Sequence, residues 1–315
     1  MQKLLLWPIV LWILLATSIE AKSLNVVTTT PDLAWLASEL LKERGEVTAL
    51  LSGEEDVHAV DAVPSFILAS SKADVICMVG MSLEIGWIPK VIEKTANQQI
   101  QNGRVGYCDI GATIEGREKP KGPVDRSMGD VHPEGNPHYY LSLPLLKKAA
   151  TTMAGCFMAQ LLHSDINAVE ANLKRLHQMM DHQHQALKAK LKNHFGSKLP
   201  LVAQYHGNFT YFTESYGIPL FGNIETTPGV APSAGAIARG ALDARQKNVS
   251  VVLAVPHNPR SSVEKFASIV KVPTVIHSDV SQPDRESIKN PLLVQQSLVE
   301  KIIESLPRKT KPTSP

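Results

Sequence analysis

The 315-residue chain has little of several things that commit a protein to a class. It has three cysteines, Cys77, Cys108 and Cys156, with no CxxC among them, so a thiolate metal site or a dithiol redox motif has no basis. At most one disulfide can form, which leaves one thiol over. Cys77 lies in the apolar run ADVICMVG and is expected to be a buried structural thiol. Aromatics are 5% of residues and the formal charge is +2, with no basic block interleaved with aromatics. Nucleic acid is therefore not an expected partner. HExxH and GxSxG are absent, which removes the usual signatures of a zinc protease or a serine hydrolase. Beyond the first residues no apolar run approaches the about 20 residues needed to span a bilayer.

What is present begins with MQKLLLWPIVLWILLATSIEA, residues 1–21: an early lysine, an apolar stretch from Leu4 to Ala16, and a short polar exit ending in Ala21. This pattern is a secretory signal peptide with cleavage expected after Ala21. The run is short for a retained anchor, and no cysteine follows it to carry a lipid. The expected mature chain is exported, soluble and about 290 residues long, which suits two lobes.

LNVVTTT (24–30), EVTALL (46–51), ADVICMVG (73–80) and RVGYCDIG (104–111) read as strands separated by helical segments. The pattern restarts with LPLVAQYH (199–206), IPLFGNIE (218–225), VSVVLAVP (249–256) and VPTVIHS (272–278). Between them, residues 165–196 carry an apolar stripe through Ile166, Val169, Leu173, Leu176, Met180, Leu187 and Leu191, with Asp165 as N-cap and Gly196 as terminator. The expected fold is α/β: two lobes, each a mainly parallel sheet flanked by helices, joined by one long rigid helix. The boundaries are 1–21 signal peptide, 22–164 N-terminal lobe, 165–196 connecting helix and 197–315 C-terminal lobe. His177, His182 and His184 on that helix lack the i, i+4 spacing of a chelating pair and read as a solvated face.

The remaining histidines stand where ligands bind in such sheets, beyond the carboxyl ends of strands. His206 comes directly off a strand, His58 lies in the loop GEEDVHAVDAVPSF after another, and Asp279 follows the last. His138 lies in GDVHPEGNPHYY (129–140), a segment broken by glycine and prolines and free to reach them. Three imidazoles and one carboxylate, His58, His138, His206 and Asp279, make a set suited to Zn²⁺, whereas Mn²⁺ favours more oxygen ligands. Asp56, Asp61, Glu134 and Glu225 are candidates to orient the far ring nitrogens.

Several segments resemble one family, the metal-binding solute receptors of zinc and manganese ABC importers (cluster A-I). VVTTTPDLAWLASEL is similar to the family's opening strand and helix. GEEDVHAVDAVPSF resembles its first-histidine loop, with Val57 where proline is usual. GNPHYYLSLPL is similar to the second-histidine loop. AQYHGNFTYFTESYGI resembles the third, with Asn208 in place of alanine, and IETTPGVAPSAGAIA a Glu–Pro–Ser segment. The resemblance covers nearly the whole mature chain. It implies His58, His138 and His206 as ligands, and Asp279 as a carboxylate ligand although SDVSQPD departs from the usual wording and His277 is close by. It implies a non-enzymatic periplasmic receptor, expected to be a monomer, that passes zinc to the membrane permease of an ABC importer. A manganese receptor is the alternative. A remoter one is a secreted zinc hydrolase with Glu134 or Glu225 as base; an adhesin-like or chaperone role around a structural metal is a third. The His-rich acidic loop of several zinc receptors is missing: EGREKPKGPVDRSMGD, in that region, has no histidine. His132 is expected to be a loop residue or to support a ligand.

Overall fold

The computed structural model describes residues 23–125 and 128–307; the expected signal peptide lies outside the described residues. Two four-stranded sheets form, all of whose pairings are parallel. The first contains β1 (Leu24–Thr28), β2 (Gly45–Ala49), β3 (Val75–Met78) and β4 (Tyr107–Asp109), in the order β2-β1-β3-β4. The second contains β5 (Val202–Gln204), β6 (Leu220–Asn223), β7 (Val251–Ala254) and β8 (Thr274–Ile276), in the order β6-β5-β7-β8. The arrangement repeats between the lobes. Each strand is shorter than its β-branched run, because parallel pairing stops where the chain turns into the strand-end loops.

Position in the sheet explains the composition of the strands. Central strands of a parallel sheet are covered on both faces and read as continuous apolar runs. VICM of β3 and VVLA of β7 are buried at every residue. The edge strand β2, GEVTA, instead alternates between half-buried and exposed positions. Helices α1 (Pro31–Leu41), α2 (Pro64–Ser71), α3 (Ile88–Lys94) and α4 (Leu143–Met158) complete the first lobe. Each has proline in its first two positions, where the missing N–H costs nothing. The disulfide Cys108–Cys156 ties β4 to α4, and Cys77 is a free, buried thiol on β3.

Helix α5 (His163–Phe195) runs 33 residues, about 50 Å at 1.5 Å per residue. It packs against α1, α4 and α9 (Pro291–Ser305). The expected stripe is buried at Val169, Leu176, Met180, Leu187 and Leu191. Gly196 ends the helix at φ 74°, its N–H donating to the Lys192 carbonyl at 2.8 Å. The N-terminus differs from expectation. Leu162 is the N-cap, and Asp165 lies inside the first turn, where its carboxylate accepts from Arg44 Nε at 3.0 Å. A carboxylate there also meets the positive end of the helix dipole.

The second lobe is completed by α6 (Thr210–Tyr216), α7 (Ala234–Gln246) and α8 (Arg260–Val270). The lobes meet at the carboxyl ends of their strands. Ser281 donates from both its backbone N–H (3.0 Å) and its hydroxyl (2.8 Å) to the buried Asp32 carboxylate across the interface. Gln282 Nε2 donates to the Gly53 carbonyl at 2.9 Å. Gly53 is required there: at φ +91°, an added Cβ would sit 2.0 Å from the Ser281 carbonyl oxygen.

Candidate metal centre

His58 follows β2 in a turn closed by its own neighbours. Asp56 Oδ1 accepts the His58 backbone N–H at 3.0 Å, and Trp87 Nε1 donates to the Val57 carbonyl at 3.0 Å. His138 opens a 3-10 turn over His138–Leu141, with its backbone N–H held by Asn136 Oδ1 at 2.9 Å. Asn136 also donates to the Gly207 carbonyl at 2.7 Å, so the second-histidine loop is stitched to the third. His206 leaves β5 in an extended conformation, and Gln204 Oε1 shapes the following turn by accepting from Phe209 N at 2.8 Å.

The three imidazoles converge. One ligand atom from each of His58, His138 and His206 lies within 4.8 Å of the others. Their ring centres are 5.2, 5.5 and 5.4 Å apart, and the two Nε2 atoms of His58 and His138 face each other at 3.3 Å. An ion with tetrahedral bonds of about 2.0–2.1 Å has ligand atoms about 3.3 Å apart and ring centres about 5 Å apart. The cluster matches those dimensions. Burial, followed by the charges of neighbouring histidines, drives His58 and His138 well below the usual histidine pKa and keeps them in the neutral, ligating form.

The far nitrogens of His206 and His138 are handled differently. His206 Nδ1 donates to Glu225 Oε2 at 2.7 Å, leaving Nε2 for a metal. Burial works against charge on His206, but the Glu225 carboxylate more than offsets it and raises the pKa. His138 Nδ1 is 2.7 Å from the Tyr140 hydroxyl, which donates in turn to Asp279 Oδ2 at 3.2 Å. That order requires the proton on Nδ1 and frees Nε2.

Asp279 is therefore placed behind His138, with Oδ2 3.8 Å from His138 Nδ1, and it also accepts from Asn208 Nδ2 at 2.7 Å. It is not in the group of converging ligand atoms. His277 is buried with both nitrogens engaged, Nδ1 with the Ser278 carbonyl at 2.7 Å and Nε2 with Ser297 Oγ at 2.9 Å. Of the carboxylates expected to orient the histidines, Glu225 does so directly. Asp56 holds the His58 backbone, Glu134 accepts from Ser82 Oγ at 2.9 Å, and Asp61 is exposed.

On α5, His182 is exposed and His177 bonds the Lys147 carbonyl at 3.1 Å. His184 is half-buried against Tyr216, with ring centres 4.9 Å apart, rather than solvated. Sequence reasoning overlooked Tyr140 and the contact of Asn208 with Asp279. It also passed over a signal for His132: the tripeptide Asp-Val-His occurs at 56–58 and again at 130–132.

A family model described as ZnuA, zinc-uptake complex component A, periplasmic, matches residues 26–304. The chain belongs to the ZnuA family. A crystal structure of a ZnuA aligns at TM-score 0.73 and 20% identity, covering 90% of this chain and 99% of that one. The periplasmic zinc-binding protein TroA from Treponema pallidum aligns at TM-score 0.72 and 18% identity, covering 91% and 100%. Both share the two-lobed fold. Among curated relatives, a manganese ABC transporter substrate-binding lipoprotein, PsaA, from Streptococcus anginosus is 26% identical over 206 residues, 64% of this chain. The alignment spans 62% of that relative's length.

Proposed function

We propose that the protein is a periplasmic receptor that captures a single Zn²⁺ between its lobes and delivers it to the membrane permease of an ABC importer, acting as a monomer and not as an enzyme. The observation that carries this reading is the convergence of three imidazole nitrogens, two from the N-terminal lobe and one from the C-terminal lobe, at the spacing of a tetrahedral ion. A site that straddles two lobes can release its ion when one lobe's loop moves, which suits carriage better than catalysis. The two carboxylates that could serve a hydrolase as base are engaged elsewhere, Glu134 with Ser82 and Glu225 with His206.

Zinc is favoured over manganese by the donor set, because imidazole suits Zn²⁺ and oxygen donors suit Mn²⁺. The manganese reading draws on the names of PsaA and MntA among the relatives and on the nearness of Asp279. Titration of chelator-stripped mature protein with Zn²⁺ and Mn²⁺ in competition separates the two. One zinc equivalent held against excess manganese is expected. Preference for manganese would move the assignment to the second reading, and no binding of either would remove the receptor reading.

A further inference from the structure

We propose that His132 is the fourth ligand of the captured ion, and that Asp279 acts through His138 instead of binding the metal. The inference rests on the receptor reading above and adds to it a donor from the 129–137 loop.

Three observations point to His132. Its Nε2 is buried without any hydrogen-bond partner. Such an atom is costly inside a protein unless something is meant to fill the place. Its ring centre is 5.2 Å from that of His58, the same separation as between His58 and His138. Finally, His132, His138 and His206 line one small cavity together with Asp130.

The loop that carries His132 is fixed at both ends and short between them. Asp130 N donates to the Pro228 carbonyl at 3.0 Å, and Asn136 N donates to the Arg117 carbonyl at 2.7 Å. Gly129 and Gly135, at φ +73° and +100°, make those close approaches possible. The His132 Nε2 lies outside the group formed by the other three ligand atoms. Binding therefore draws residues 131–134 inward over the ion, with the anchored ends as pivots.

Asp279 is placed differently. Its Oδ2 takes hydrogen bonds from Tyr140 and Asn208 and stands on the Nδ1 side of His138, away from the Nε2 that faces His58. Bringing Oδ2 itself to the ion would break both bonds and leave the buried Asn208 amide without its acceptor.

The test is zinc K-edge X-ray absorption of the Zn²⁺-loaded protein, paired with zinc affinity by chelator competition, for the wild type, His132→Ala, His132→Gln, Asp279→Asn and His206→Ala. The expected wild-type spectrum fits four imidazoles. Both His132 variants should fit three imidazoles plus one light-atom ligand and bind zinc more than about tenfold more weakly. Asp279→Asn should keep four imidazoles and lose about tenfold or less, through the orientation of His138. Metal-free thermal melts show that each variant is folded. A spectrum unchanged by either His132 substitution, or an oxygen ligand that disappears in Asp279→Asn, overturns the proposal. So does a His132 variant that loses affinity with its imidazole count intact, since the residue would then be structural. His206→Ala separates the two levels: if it leaves binding and spectrum untouched, the receptor site itself is wrong and this inference falls with it.

Discussion

The two lobes share one strand order but secure their strand ends with different chemistry. At the end of β3 in the N-terminal lobe, the buried Glu84 carboxylate accepts from Thr29 Oγ1 (2.7 Å), Val79 N (2.7 Å) and Gly80 N (3.1 Å). Asp32, also buried, takes both donors of Ser281. In the C-terminal lobe the equivalent work falls to a neutral amide. Gln204 donates to Thr210 Oγ1 (2.9 Å) and Asn223 Oδ1 (2.8 Å) and accepts from Phe209 N. The ligands follow a complementary division. His206 of the C-terminal lobe has a carboxylate directly on its far nitrogen, whereas His138 reaches one only through Tyr140. The N-terminal lobe thus stores ionisable groups in its frame, and the C-terminal lobe spends its carboxylate on the ligand. Charge in the frame makes stability depend on pH; charge on the ligand makes affinity depend on one side chain.

That contrast can be broken in steps. Burial raises Glu84 to about 7 and Asp32 to about 6, against the donors that pull each back down. A carboxyl whose folded pKa is raised contributes stability that is complete below its unfolded pKa and is lost as pH climbs through the folded value. For Glu84 that window runs from 4.5 to about 7, and for Asp32 from 3.8 to about 6. Each spans on the order of 3 kcal/mol. Chemical denaturation of the metal-free protein at stepped pH should show this decline in the wild type and a flatter curve in Glu84→Gln or Asp32→Asn. An unchanged slope in both variants would mean that neither group's pKa differs between the folded and unfolded states.

Glu225→Gln is next in size. It removes the charge that orients His206, and zinc affinity should fall by about 100-fold, the upper part of the range for such partners. The C-terminal frame gives the control for pH: Gln204→Met leaves the Phe209 N–H without its acceptor and should cost about 1–3 kcal/mol with no change in the pH slope. The smallest expected effect is Tyr140→Phe, which cuts the relay from Asp279 to His138 and should weaken zinc by about tenfold, measured by the same competition titration. If Tyr140→Phe exceeded Glu225→Gln, the division between the lobes would be reversed.

The contrast also marks what could be read from the residues alone. Strands were legible because parallel sheets need continuous β-branched runs, and VICM and VVLA have no other stable home. His58 and His206 were legible because ligands gather beyond strand ends, and the structure brings both to His138. The pairing of Cys108 with Cys156 was not, since three cysteines leave several pairs open until β4 meets α4. Asp279 was found as a residue at the right strand end, but its tie to Tyr140 and Asn208 joins positions 139 and 71 residues apart in sequence. Which oxygen faces which donor is decided by tertiary packing. The N-cap of α5 failed for a related reason: Arg44, 121 residues away, takes the Asp165 side chain that a local rule would give to the helix end.

The most direct test of the central claim is zinc titration of the chelator-stripped protein carrying His138→Ala, from one lobe, or His206→Ala, from the other. The account predicts one zinc site in the wild type and a large loss of affinity in each variant, because both lobes hold the same ion. Binding that survives either substitution at wild-type strength would contradict a site shared between the lobes.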